Sequence, residues 1–249
     1  MVVEPLCHRG FTQNQLKTIA AIAMLMDHIG AELFPQVIVL RIIGRLAFPI
    51  FSYFIYEGFH YTHNKKDYLR RISLLGIVCA VVYYFYSGEI YGNVLITFSV
   101  SILALYGTAA FKRRLTKGIK DKIYGFVFIA SYFLFIYFIC IWLSADYGFF
   151  GVLLSVFADF MDEWQGKRNR YLALAGFSIG VFLLSVQGGI QYFSLLAIPL
   201  LAAYSGRRGP MNMKSFFYWF YPAHLAAIGI VAMAKGAENL MCFPLFLPL

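Results

Sequence analysis

The chain has 249 residues, of which 61% are hydrophobic, 19% aromatic and only 13% charged, and its formal net charge is +9. Soluble domains carry roughly 25% charged residues, so this composition excludes an ordinary soluble protein and marks a chain that crosses a membrane many times. The four cysteines Cys7, Cys79, Cys140 and Cys242 have no paired spacing, which argues against a disulfide framework and against a cysteine metal site.

The first fifteen residues lack the apolar core and small-residue cleavage site of a secretory signal, so insertion through the first spanning helix is expected, with the mature chain beginning near Met1. Apolar runs bounded by polar, glycine or proline breaks then predict helices near 16–34, 37–61, 68–87, 92–111, 123–144, 147–161, 171–186, 189–204 and 215–234. Most approach the roughly 17–25 residues that a bilayer requires. The expectation is an all-α, polytopic transmembrane bundle of about nine spans (8–10), forming a single domain over residues 1–249. The sixth to eighth runs are short, and the proline-broken tail from Cys242 to Leu249 is apolar, so a re-entrant or interfacial element is possible at either place.

Basic residues gather after every second run. Arg9 and Lys17 stand at the first helix, Lys65, Lys66, Arg70 and Arg71 follow the second, and a cluster from Lys112 to Lys122 follows the fourth. Lys167, Arg168 and Arg170 follow the sixth, and Arg207, Arg208 and Lys214 the eighth. Lysine and arginine collect on cytoplasmic loops, so the N-terminus is predicted cytoplasmic and, with nine spans, the C-terminus external. Topology accounts for most of the positive charge, and nucleic acid is not expected as a partner.

Ionisable residues inside the apolar runs are costly and therefore informative. The first helix carries Asp27 and His28, the second Arg41, Arg45 and Glu57, and the last His224. Arg41 and Arg45, at i and i+4, share a helix face. An antiparallel hairpin turning near Phe34 and Pro35 makes Asp27 the expected counter-ion of Arg41. At 1.5 Å per residue, His28 lies about 18 Å from the start of its helix and His224 about 15 Å from Lys214, so the two histidines are expected at one level. Asp27 and His28 point about 100° apart and are not read as a mutually facing dyad. Glu57 is read first as an ion-pair partner for Arg70 or Arg71. Gly176 and Gly180 are read as helix packing, and Pro222 as the source of a kinked polar pocket near His224.

Several ordered motifs resemble the TraX family of conjugal-transfer membrane proteins over about residues 13–230. They are Leu16-Lys17-x-Ile-Ala with Met-x-Asp27-His28-Ile-Gly30, Arg41-Ile-Ile-Gly44-Arg45-Leu-Ala-Phe48-Pro49, Glu57-Gly58-Phe59, Tyr68-Leu-x-Arg71, Asn93-Val-Leu-Ile-Thr97, Asp146-Tyr147-Gly148-x-x-Gly151 and Tyr221-Pro222-x-His224. The resemblance implies a membrane-embedded acetyltransferase of the bacterial cytoplasmic (inner or plasma) membrane, taking acetyl from cytosolic acetyl-CoA. The acceptor would be an amine or hydroxyl on a pilin-like peptide, a glycan or a small molecule. Such transfer needs a general base, for which histidine is suited because its pKa lies near working pH.

His28 is the first candidate base, Asp27 the residue that orients the histidine or an arginine, and Arg45 or Arg41 a cation for the oxyanion. His224, Glu57, Asn93 and Tyr221 are secondary candidates. Lys65, Lys66, Arg70 and Arg71 are expected to meet the donor's phosphates, and no metal is expected. A proton-coupled transporter and a structural pilus or secretion assembly protein are the alternatives.

Overall fold

A computed structural model describes residues 10–88, 91–115, 118–164 and 167–234, so Cys7, Arg9 and the tail from Cys242 lie outside the described residues. The described chain is helical: α1 (Gln13–Glu32), α2 (Ile38–Gly44), α3 (Ala47–Tyr61), α4 (Lys65–Ser87), α5 (Val94–Leu115), α6 (Ile119–Trp142) and α7 (Gly148–Met161) lead to a two-stranded hairpin, β1 (Glu163–Trp164) and β2 (Lys167–Arg168). Then follow α8 (Arg170–Ser185), a 3-10 helix (Gly189–Leu196) that runs on into α9 (Ala197–Ala202), and α10 (Lys214–Ala234).

Short polar side chains start these helices by satisfying orphan backbone donors. Thr12 forms a capping box with Gln15 at α1, and Asn64 and Asn169 cap α4 and α8. Asn93 does the same before α5, its Oδ1 accepting from Leu95 N at 3.0 Å while its Nδ2 donates to the Gly76 carbonyl at 2.9 Å.

One expected helix is broken. The run 37–61 divides at Arg45 and Leu46 into α2 and α3, because Pro49 has no N–H to offer the Arg45 carbonyl and its ring crowds that carbonyl. Arg45 caps α2 in right-handed helical backbone with its N–H on the Arg41 carbonyl, so Arg41 and Arg45 keep the shared face, and both turn to Asp27. The other boundaries fall close to the apolar runs.

Five helical spans are long and apolar enough to cross a membrane: 38–61, 65–85, 94–115, 119–142 and 215–232. The stretches Gly148–Met161, Arg170–Ser185 and Gly189–Ala202 are apolar but shorter. Fourteen residues rise only about 21 Å, against a hydrocarbon core of about 30 Å. These short elements pack inside the bundle: a side chain at Gly180 would lie 2.7 Å from Leu154 Cα, and one at Gly176 would meet the Phe157 carbonyl.

The core joins Leu16, Ile50, Tyr53, Phe59, Leu105 and Phe177, all of them fully buried. α4 and α6 instead turn leucines, valines, phenylalanines and Trp142 outward. On a soluble protein so large an apolar face would seek a partner, whereas on a membrane protein it meets lipid.

Candidate functional site

α1 and α2 approach closely enough that a Cβ at Gly44 would collide with the Asp27 side chain and one at Gly30 would lie 2.7 Å from Leu40 Cβ. The approach seats the Asp27 carboxylate on the Arg45 guanidinium, with Nη2 at 2.6 Å from both oxygens. Arg45 also donates through Nη1 to Gln191 Oε1 at 3.3 Å, and through Nε to the Arg41 carbonyl at 3.3 Å. Arg41 stands farther from Asp27, at 3.7 Å through Nε. The expected Asp27–Arg41 pairing is thus secondary to Asp27–Arg45.

The two histidines meet. His28 Nδ1 and His224 Nε2 are 2.7 Å apart, and both residues are buried. His224 Nδ1 lies 2.7 Å from the Phe220 carbonyl, one turn earlier in α10. A carbonyl only accepts, so His224 Nδ1 carries the proton and, in the neutral ring, Nε2 is the acceptor. His28 Nδ1 must then be the donor, which leaves the lone pair of His28 on Nε2.

His28 and Asp27 line an internal cavity of about 380 Å³ that reaches from the basic N-terminal ends of α1 and α10 to the connection between α6 and α7. Gln13 and His28 both border it, a separation of about 22 Å along α1. Phe48, Phe51, Phe54 and Phe98 give it apolar walls, and Tyr221 contributes at the inner end. The cavity is of the size that binds small organic ligands. Its wall, among the described residues, includes neither Arg41 nor Arg45, which stand behind Asp27.

The basic mouth is formed by Lys17, Arg71 and Arg208. Of the four residues expected to meet the donor's phosphates, only Arg71 borders the cavity. Lys65 lies over the Phe59 ring, 4.0 Å from its centroid, Arg70 pairs at 3.1 Å with exposed Asp67, and Lys66 is absent from the described wall. Lys17 and Arg208 were not singled out from the sequence, because their convergence depends on α1 meeting the segment before α10, where Asn14 Nδ2 donates to the Met211 carbonyl at 2.7 Å. Asn93 caps α5 and does not border the cavity.

Two other buried polar groups lie in the half of the bundle nearer the basic mouth. Glu57 meets Arg170 Nη2 at 3.2 Å and accepts from the Tyr204 hydroxyl at 2.9 Å. Its partner is therefore Arg170, and neither Arg70 nor Arg71 reaches it. The second group joins His60, Asp159 and Asp162, whose ligand atoms lie within 4.8 Å of one another, a cluster that linear spacing did not signal. Lys112 Nζ stands 3.3 Å from Asp159 and 3.0 Å from Asp162, and Arg168 Nε 2.9 Å from Asp162. Two cations balance two carboxylates, so charge balance there needs no metal ion.

Residues 12–232 match the family described as TraX protein. The chain belongs to the TraX family. A curated relative from Dichelobacter nodosus, "Probable fimbrial assembly protein FimC, serogroup H1", is 29% identical over 252 aligned positions, covering 88% of this chain and 94% of its own length. An uncharacterized protein of Rickettsia prowazekii is 35% identical over 112 positions, 45% of this chain and 34% of its own. No solved structure matches the TraX chain.

Proposed function

We propose that this TraX protein is a membrane-embedded acetyltransferase that moves acetyl from cytosolic acetyl-CoA to an amine or hydroxyl acceptor in pilus assembly. One observation carries the reading: a buried histidine, tautomerically fixed by a second histidine, faces a cavity whose other end is a basic mouth, the end that the positive-inside rule assigns to the cytoplasm. Lys17, Arg71 and Arg208 suit the phosphates of the donor, and the apolar walls suit its pantetheine arm. The printed name of the Dichelobacter relative supports a pilus setting for the acceptor.

In the transfer, His28 Nε2 takes the proton of the acceptor N–H or O–H as that atom attacks the thioester carbon. The new C–N or C–O bond forms, the C–S bond breaks, and the imidazolium returns its proton to the CoA thiolate. The products are acetylated acceptor and CoA thiol. His224 holds the His28 ring, and the Arg45–Asp27 pair fixes the wall beside it. The test is transfer of labelled acetyl from acetyl-CoA by purified protein in nanodiscs. Wild type is expected to release CoA and label an added acceptor, and a His28→Ala protein is not.

A structural role in assembly is the second reading, favoured by the relative's description as an assembly protein. It predicts that wild type labels no acceptor from acetyl-CoA and that a His28→Ala variant still supports pilus formation in cells that lack the wild-type gene.

A further inference from the structure

The end of the cavity far from the basic mouth is walled by a stack of three rings. Phe48 lies between Tyr147, with ring centroids 3.8 Å apart at 11°, and Phe98, at 5.6 Å and 8°. All three border the cavity and are buried. The stack stands at the His28 end, because the Arg45 guanidinium, 2.6 Å from the Asp27 carboxylate, also lies 6.0 Å from the centroid of the Tyr147 ring.

The stack is held from behind. Tyr147 takes left-handed backbone with φ of 60°, which a non-glycine residue adopts only where its surroundings enforce it. Here the preceding residue is pinned on both sides: the Asp146 N–H donates to the Gly92 carbonyl at 2.6 Å, and the Asp146 carbonyl accepts from the Thr97 hydroxyl at 2.5 Å. Gly151 of α7 backs the Phe48 ring. A Cβ there would lie 2.9 Å from Phe48 Cζ, 2.7 Å from Tyr147 Cβ and 3.3 Å from Thr97 Cγ2. Rings packed this closely give way little to an added group.

A donor that enters through the basic mouth and sets its thioester beside His28 turns its acyl tail away from the mouth, toward the stack. Beside Asp27 the cavity wall is Gly44, and beside Phe48 it is Ala47. These small residues leave room for a short acyl group, and the rings close the space beyond it.

We propose that Phe48, fixed between Tyr147 and Phe98, is the stop that sets acyl length, so that the site admits acetyl and excludes butyryl and longer chains. The assignment rests on the acetyl-transfer reading and names the donor thioesters which that site accepts. One methylene too many in an apolar pocket changes discrimination by about 10–200-fold.

The test measures binding of acetyl-CoA, propionyl-CoA and butyryl-CoA to the full chain in nanodiscs, and transfer from each to an added acceptor. Preference is a ratio between donors, so a lower folded fraction does not alter it. Wild type is expected to favour acetyl over butyryl at least about 10-fold in both measurements. Phe48→Ala should abolish that preference and Phe48→Leu reduce it, whereas Gly151→Ala, which presses the ring toward the cavity, should extend the exclusion to propionyl. Phe51→Ala, on the cavity wall but outside the stack, should weaken all three donors alike. Equal binding of acetyl-CoA and butyryl-CoA by wild type, or an undiminished preference in monodisperse Phe48→Ala and Phe48→Leu proteins, would overturn the assignment. Transfer by wild type without a length preference would refute the stop and leave the transferase standing. A Phe48-dependent binding preference in a protein that never transfers an acyl group would support the stop while refuting the transferase.

Discussion

The bundle holds buried ionisable residues in both halves, and the two sets differ in what they touch. In the half nearer the basic mouth, Glu57 is closed in by Arg170 and Tyr204, and Asp159 and Asp162 by Lys112, Arg168 and His60. In the other half, Asp27 is just as fully paired, yet the adjacent His28 opens onto the cavity. Burial and cost are alike in the two places. Access to a ligand-sized space, with a tautomer that puts a lone pair on Nε2, separates a site from a strut.

The largest difference should appear on removing His28. His28→Ala is expected to lower acetyl transfer by about 10²–10⁴-fold, the usual contribution of a general base, in protein that still elutes as a single folded species. Glu57→Gln should do the opposite. It leaves Arg170 buried beside a neutral partner, a loss on the scale of about 3–5 kcal/mol for a broken buried pair, so the melting temperature falls while turnover per folded molecule stays near wild type. If both variants lose only stability, the comparison between the two halves collapses.

His224→Ala removes the group that orients the His28 ring without removing the base. A misplacement of about 1 Å can cost about 10²-fold, so kcat should fall by up to that factor while KM for acetyl-CoA holds. Steady-state kinetics of the purified variant check this. The smallest effects belong to the mouth. Arg71→Ala or Arg208→Ala should raise KM for acetyl-CoA about 10-fold, in line with the loss of one charge-assisted contact of about 1.4 kcal/mol. Arg70→Ala should leave it unchanged, because exposed pairs such as Arg70–Asp67 contribute about 0–1 kcal/mol.

Much of this was legible in the sequence because membranes impose simple rules. Apolar run length located the helices, and the level of His28 and His224 followed from counting rise per residue, as their 2.7 Å contact shows. The errors arise where that counting assumes straight helices or local partners. Pro49 breaks the second run at Arg45, and Asp27 takes Arg45 rather than Arg41 as its main counter-ion. Glu57 pairs with Arg170, 113 residues away, across helices whose order in space no local pattern encodes. The mouth residues Lys17 and Arg208, and the stacking of Phe48 on Tyr147, likewise depend on contacts between distant segments. A usable signal was present for Tyr147: an aromatic between an acid and a glycine in a loop otherwise poor in charge.

The central claim is tested most directly by transfer of labelled acetyl from acetyl-CoA in nanodiscs by wild type, His28→Ala and Glu57→Gln side by side. The account predicts label transfer by wild type and by the folded fraction of Glu57→Gln, and none above background by a well-folded His28→Ala protein. Equal transfer by wild type and His28→Ala, or none by well-folded wild type with acceptor present, would contradict it.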